Sequence, residues 1–488
     1  MSLAIRKAEQ QTLDELLNSD NPEFLAIYGR RRVGKTYLIR EFFKNKKVIF
    51  FNTTGSKEGT LSEQINHFTK EIGSKFYNGA ILKLSKNWDE TFELLTKAIS
   101  TTAKNKKIIL FLDEFPCMAT RKSRLLQNLD YYWNQHWSRD NRVKLIICGS
   151  SASWIINKII NNKGGLHNRI TKQMLLEPLN LINTKIFLNK QGVKLNNRQI
   201  LQIYMVTGGV PYYLSVIKKG LSATQIIDQI AFKKKSLLID EFENLFSSLF
   251  SEHEICERII RVISQYQYGI AQEELFKKLG KNTKGKLGLT KLKELEDAGF
   301  IMSFKPLFHQ RRGIYYKLID EYTLFYLKWI EPIKKTLLKK TLPSQYWEKQ
   351  QVSASWNSWS GLAFESICYK HISQISKALQ LPAAIPSTWR YSPKKGSKKE
   401  GAQIDLLFDR DDDAITLCEI KYTDAPFSID KQYTKKLMNK IDIFKKITKT
   451  EKQIFLSMIS ASGIKETLYS KEIINNLVIL DDLFVNLD

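Results

Sequence analysis

No run of about 18 consecutive apolar residues, the length that crosses a bilayer, occurs in this 488-residue chain, so no membrane-spanning helix and no membrane partner are expected. No secretory leader is visible either, because Arg6, Lys7, Glu9, Asp14 and Glu15 interrupt the first apolar residues. Cysteine is scarce. The five, Cys117, Cys148, Cys256, Cys368 and Cys418, stand far apart and mostly in apolar segments, which excludes a Cys-x-x-Cys pair and reads as buried thiols in a reducing cytoplasm. The six histidines form no metal-spaced cluster, so a structural zinc site is not expected. No internal repeat is visible. Acid is short as well: 50 Asp and Glu face 76 Lys and Arg, a formal charge of +26. Such a surplus suits a polyanionic partner, nucleic acid before others. A lysine- and asparagine-rich composition gives the same surplus, so charge alone does not decide.

What is present is ordinary globular chemistry, 43% hydrophobic and 26% charged. The chain is too long for one core and predicts about two to four domains. Short continuous apolar runs at 24–29, 48–51, 107–112 and 144–148 have the pattern of parallel strands buried on both faces. Helix-patterned stretches at 60–74, 89–104 and 123–137 separate them, so an α/β parallel sheet is expected over residues 1–190. Residues 191–250 read as helical. Residues 251–335 read as three helices (253–265, 271–279 and 286–298) and two strands around a basic turn from His309 to Arg312, a winged-helix pattern. Residues 332–350, with two prolines and five lysines, read as a linker. A last α/β unit is expected over 351–488, with a strand pair at 403–409 and 414–422.

The first run leads into Gly29-Arg30-Arg31-Arg32-Val33-Gly34-Lys35-Thr36, a complete G-x-x-x-x-G-K-[ST] element followed by Tyr37. Glycines let backbone N–H groups curl around phosphate oxygens, and the helix after the loop offers its N-terminus to them. Lys35 is placed to reach the β- and γ-phosphates, and Thr36 to ligate magnesium. The expected ligands are ATP and Mg2+. The strand 108–113 ends in Asp113 and Glu114, the first placed to hold magnesium through water, the second to polarise an attacking water. Ser150 or Ser151, after a third strand, is either a γ-phosphate sensor or a helix cap. Arg169 is either a stabiliser of phosphate charge or a surface arginine. Arg30, Arg31 and Arg32 point to solvent or to an anionic partner, and the sequence leaves both open.

Residues 1–330 resemble the archaeal-type ATPase family of signal-transducing P-loop ATPases related to AAA+. The resemblance is carried by the three-arginine phosphate loop, Leu112-Asp-Glu-Phe-Pro116, Ile147-Cys-Gly-Ser-Ser151 and Thr207-Gly-Gly-Val-Pro-Tyr212. It implies that Gly209 and Pro211 lie in a helical lid beside the nucleotide and that a winged helix comes next. Arg6 and Glu9 resemble the family's N-terminal arginine–glutamate element. The arginine-bearing segment before Leu179 differs from the commonest family form.

In the last unit, Gln403-Ile-Asp405 and Glu419-Ile-Lys421 lie on two strands joined by Asp411 to Asp413. Glu419 and Lys421 share a face, and pairing across the turn would bring Asp405 beside them. Two carboxylates and a lysine on one face are the parts of a metal-ion nuclease: Asp405 and Glu419 to bind magnesium, Lys421 to orient or activate water. Glu365, in Gly361-Leu-Ala-Phe-Glu365, is a further metal candidate. The set resembles the PD-(D/E)XK nuclease superfamily and the domain of uncharacterised function often fused to archaeal-type ATPases, with Ile404 in place of the proline. An amphipathic hairpin with charges on its wet side is the alternative. Lys394, Lys395, Lys398 and Lys399 precede the first strand, and the helix lysines Lys431, Lys435, Lys436 and Lys440 are expected to face out, toward a phosphate backbone or toward water; Lys284, Lys286, Lys291 and Lys293, with Arg311 and Arg312 in the wing, suit DNA or a protein contact.

The reading is a Mg-dependent ATPase whose nucleotide state controls a DNA-binding C-terminal half, in which the nuclease-like domain either cuts the DNA or only holds it. The alternative is an ATP-dependent signalling switch on a protein partner, with an inactive nuclease-like domain. Self-association is compatible with both.

Overall fold

A computed structural model describes residues 5–120, 122–161, 166, 168–280, 283, 285–305, 313–339, 343, 345–391, 393 and 400–487. Lys284, His309, Arg311, Arg312, Lys394, Lys395, Lys398 and Lys399 lie outside the described residues, as do Gly164, Gly165 and His167 beside Arg169. The chain forms two compact units. One is Met1–Pro178 with Ser248–Ser251, the other Leu179–Ser247 with Glu252–Asp488.

The first unit is built on β1 (Glu23–Tyr28), β2 (Ile49–Thr54), β3 (Ile108–Asp113), β4 (Val143–Gly149) and β5 (Lys172–Leu175), in the order β2-β3-β4-β1-β5. All four pairings are parallel. Alternate residues feed two cores. Phe24, Ala26, Leu110, Leu112, Leu145 and Ile147 meet the helices Leu61–Phe76, Trp88–Ser100 and Leu125–Gln135. Leu25, Ile27, Ile109, Phe111, Ile146 and Cys148 meet Leu38, Ile39, Phe42 and Phe43 of the helix Lys35–Phe43. Burial on both faces is why these strands read as unbroken apolar runs. β5 has the burial pattern of a half-covered edge, with Leu175 exposed, and its sequence carries no such run.

The second unit begins with helices, among them Leu181–Lys190, Asn197–Thr207 and Pro211–Ser215. The helix Leu181–Lys190 therefore belongs to this unit and not to the sheet of the first one. Next come the helix His253–Ser264, β6 (Ile270–Ala271), the helices Gln272–Leu279 and Lys286–Asp297, then β7 (Ile301–Phe304) and β8 (Tyr315–Leu318) in the antiparallel order β6-β8-β7. The last sheet runs β13-β12-β11-β10-β9. Its strands are β9 (Ala384–Tyr391), β10 (Ala402–Arg410), β11 (Ala414–Lys421), β12 (Gln453–Ser460) and β13 (Asn476–Ile479). β9, β10 and β11 pair antiparallel, while β11, β12 and β13 pair parallel.

The expected linker is not one. Residues 332–350 contain the helix Lys334–Lys339 and most of Tyr346–Gln351, and Trp347 is fully buried. Its ring stacks on Phe232 at 4.9 Å and meets Phe325, Trp329 and Trp356 edge-on at 5.4, 5.5 and 5.4 Å. Prolines and lysines suggest a linker, but a large aromatic inside the same segment has an area to bury, and that decides its fate.

Candidate nucleotide site and carboxylate site

Because the first sheet is parallel, the C-terminal ends of its strands share one edge. β1 runs into the Gly29–Thr36 loop, β4 beside it is followed by Ser150, and β3 beyond β4 ends at Asp113 with Glu114 next. The loop turns through positive φ at Gly29 (141°), Arg32 (72°) and Gly34 (96°). Gly29 has a second reason to be glycine: a Cβ there would stand 2.3 Å from the Leu176 carbonyl oxygen. Gly34 opens the helix Lys35–Phe43 with no side-chain cap bond of its own.

Lys35 is buried, and its Nζ donates to the carbonyls of Gly29 at 2.8 Å and Arg30 at 2.9 Å. Burial pushes its pKa down, and the charges of Asp113 and Glu114 work against that. Neutral carbonyls stabilise a buried ammonium less well than an anion would. The Thr36 hydroxyl donates to Asp113 Oδ2 at 2.8 Å. Burial pushes the Asp113 carboxyl up, and the Thr36 bond offsets part of it. A hydroxyl and a carboxylate in contact are hard oxygen donors of the kind magnesium takes, so the residues present fit the ion. Glu114 has φ 44°, unusual for a residue with a side chain. Its Oε2 accepts from the Ser150 amide at 3.2 Å and the Ser150 hydroxyl at 2.9 Å. Ser150 is thus joined to Glu114.

Arg30 is buried, Arg31 is exposed and Arg32 and Tyr37 are half-buried, while Val33 lies in the core. Arg169 is exposed. Gly209 and Pro211 lie in the second unit. There a Cβ on Gly209 would stand 1.9 Å from the Leu179 carbonyl, and Pro211 starts a helix. Arg6 is a residue the motif reading undervalues. Its buried guanidinium donates to the backbone of Val33 at 3.4 Å and Glu177 at 2.7 Å and pairs with Glu9 at 2.9 Å. It braces the phosphate loop from behind. Gly149 was also missed: a Cβ there would meet Pro116 at 2.7 Å, so it makes room for the acidic turn.

In the second unit the register pairs Leu406 with Cys418, so Asp405 falls opposite Glu419. Asp405 Oδ2 accepts the Ile420 amide at 3.1 Å and Oδ1 accepts Gln403 at 3.2 Å. Glu419 is surrounded by donors: Lys421 at 2.8 Å and the Tyr433 hydroxyl at 2.6 Å on Oε1, and Lys440 at 2.6 Å on Oε2. Burial opposes its charge, but Lys421 and Lys440 win and hold its carboxyl down to about 2. Burial also opposes the Lys421 ammonium, yet Glu419 raises its pKa, so Lys421 can orient a group but is poorly suited to accept a proton. Glu365 is the opposite case, pushed up to about 7 by burial and then by the charge of Asp405. The expected metal set of Glu365, Asp405 and Glu419 is corrected in this respect: among the described residues no group of three or more His, Cys, Asp or Glu is arranged to hold a metal. Glu419 is taken up by ammonium groups instead. Lys440, expected on the outer face of its helix, turns inward to it.

The DNA-facing expectation for the helix Lys286–Asp297 also changes. Lys291 is buried and pairs with Glu252 at 3.1 Å and Glu294 at 3.0 Å, while Lys293 pairs with Asp297 at 2.9 Å. Lys286 is exposed.

Residues 4–217 match the family described as an ATPase domain predominantly from Archaea. This part of the chain is similar to that ATPase domain. Residues 326–441 match a family described as archaeal and bacterial proteins of unknown function. An uncharacterized protein of Methanocaldococcus jannaschii is 27% identical over 429 residues, covering 86% of this chain and 87% of that one. An uncharacterized ATP-binding protein of the same organism is 46% identical over 43 residues, 9% of this chain and 73% of that one. Among solved structures, a Walker-type ATPase of Pyrococcus abyssi aligns with a TM-score of 0.44 at 19% identity, over 69% of this chain and 95% of its own. No helix among the described residues is long and apolar enough to cross a membrane.

Proposed function

We propose that the first unit binds and hydrolyses ATP with magnesium and that the second unit engages DNA under its control. The observation that carries the ATPase reading is the meeting of the Gly29–Thr36 loop with the β3 acids: buried Lys35, and Thr36 bonded to Asp113 at the end of β3, the strand beyond β4. Backbone amides at the uncapped helix start and Lys35 take the phosphate charge. Thr36 and Asp113 hold the magnesium, which neutralises phosphate charge when bound. Glu114 orients the attacking water once it leaves Ser150. The ATPase-domain match over 4–217 and the similarity to an ATP-binding protein support this reading.

The region around β6–β8 reads as a winged helix and the last sheet as a PD-(D/E)XK-like domain. Gly209 and Pro211 share a compact unit with that sheet. Engagement of Glu419 by three donors favours a second reading, a switch acting on a protein partner with a silent nuclease-like domain. Metal-dependent plasmid nicking that is lost in Lys421→Ala supports the first reading, and absence of nicking under all conditions supports the second. The ATPase itself is tested by labelled-ATP binding to the full chain. Wild type binds, Lys35→Ala loses binding by about a hundredfold or more, and wild type without affinity for ATP ends the reading.

A further inference from the structure

Gln64 is a buried polar side chain, 3% exposed, on the helix Leu61–Phe76, whose Ile65, Phe68 and Ile72 belong to the apolar core. The helix does not need this carboxamide in order to begin, because Thr60 and Glu63 form a complete capping box. The carboxamide turns instead to the loop that follows β2. Its Oε1 accepts the Ser56 amide at 3.1 Å, and its Nε2 donates to the Ser56 carbonyl at 2.6 Å and, more weakly, to the Cys117 carbonyl at 3.4 Å. Gly59 makes room for it, since a Cβ there would stand 2.8 Å from Nε2.

Both ends of this clamp bear on the turn that carries Glu114. Gly55, next to Ser56, donates its amide to the Asp113 carbonyl at 2.9 Å, and a Cβ on it would stand 2.5 Å from the Glu114 carbonyl oxygen. Cys117 donates its own amide to the Glu114 carbonyl at 2.9 Å. Glu114 itself is at φ 44°, a conformation that persists only where the surroundings hold it. In the sheet β3 lies between β4 and β2. On the β4 side, Ser150 binds the Glu114 carboxylate. On the β2 side, the Gln64 clamp fixes the backbone.

We propose that Gln64 is a positioning residue for Glu114. By tying Ser56 and Cys117 together it fixes the turn from which the Glu114 carboxylate reaches the attacking water, and it acts through the backbone rather than on the substrate. The proposal rests on reading the first unit as an ATPase with Glu114 as the water-orienting acid.

The test uses the full-length chain. Gln64→Met keeps the length of the side chain and removes its hydrogen bonds. It lowers kcat about tenfold or more, while ATP affinity stays within about twofold of wild type. Without nucleotide, the amides of Gly55 and Cys117 exchange faster than in wild type, and those of the helix Leu61–Phe76 do not. Added to Glu114→Gln, the same substitution lowers kcat by no more than about twofold further, because the two act as one unit. Gln64→Glu reads the same bonds by pH. Protonated, its carboxyl both donates to and accepts from Ser56; ionised, it only accepts and faces carbonyl oxygens. Burial raises the pKa of a carboxyl so placed. The ratio of its kcat to that of wild type therefore falls as pH rises through that pKa, and the ratio for Gln64→Met does not. Wild-type kcat in Gln64→Met, a full further loss in the Glu114→Gln background, or a pH-independent ratio for Gln64→Glu overturns the proposal and leaves the ATPase reading standing. A wild type without affinity for labelled ATP removes the ATPase reading, and this proposal with it.

Discussion

Glu114 shows how much a single residue's backbone can settle. A residue with a side chain at φ 44° costs on the order of 1 kcal/mol or more, a cost carried where the surroundings enforce the geometry. Here Gly55 and Gly149 make room for it. A Cβ on Gly55 would stand 2.5 Å from the Glu114 carbonyl, and one on Gly149 would strike Pro116. The turn aims the carboxylate at Ser150, while Thr36 donates to Asp113, so the two acids have separate side-chain partners. Glu114→Gln keeps the shape and the capacity to accept from Ser150 but cannot draw a proton from water. ATP binding should persist while turnover falls by about a hundredfold to a thousandfold. A steady-state assay beside a filter-binding assay reads both numbers, and full turnover in the glutamine variant would remove Glu114 from the chemistry.

At the scale of elements, the strands that were legible in the sequence are those buried on both faces, because continuous apolar runs such as Ile108–Leu112 leave little else to be. The exposed edge strand β5 carries no such run and was not legible. The acidic hairpin β10–β11 was, since its turn and period-two pattern are local, and its register brings Asp405 opposite Glu419 as expected. Partners that come from distant elements were not. Nothing near Lys440 in sequence names Glu419, and nothing near Lys317 names Glu365. The segment 332–350 was misread because composition outweighed one aromatic. Trp347→Ala should show what that ring does. Removing a fully buried indole costs about 3–5 kcal/mol, and the loss falls on the second unit. Thermal unfolding measured with and without ATP would then show a lowered transition for the second unit while ATP still protects the first. A melt indistinguishable from wild type would return the segment to linker status.

For the whole molecule, the count of 76 Lys and Arg overstates the cations that a polyanion could reach. Lys35 is held by loop carbonyls, Lys291 and Lys293 by glutamate and aspartate, Lys421 and Lys440 by Glu419, and Lys317 faces Glu365. Charge that is paired within the fold releases no counterions when DNA arrives. Exposed cations that follow the carboxylate strands are Lys431, Lys435 and Lys436, on the helix Lys431–Thr448 that leans on the last sheet through Leu437 and Phe444. Each phosphate neutralised contributes about 0.9 to the slope of log affinity against log salt. If this helix meets the backbone, Lys435→Ala with Lys436→Ala weakens duplex binding alike for unrelated sequences and lowers that slope by about 2. Fluorescence anisotropy over a range of salt concentrations measures the slope directly. A slope unchanged by the double substitution would place the DNA contact, if any, elsewhere on the chain and leave this face to solvent.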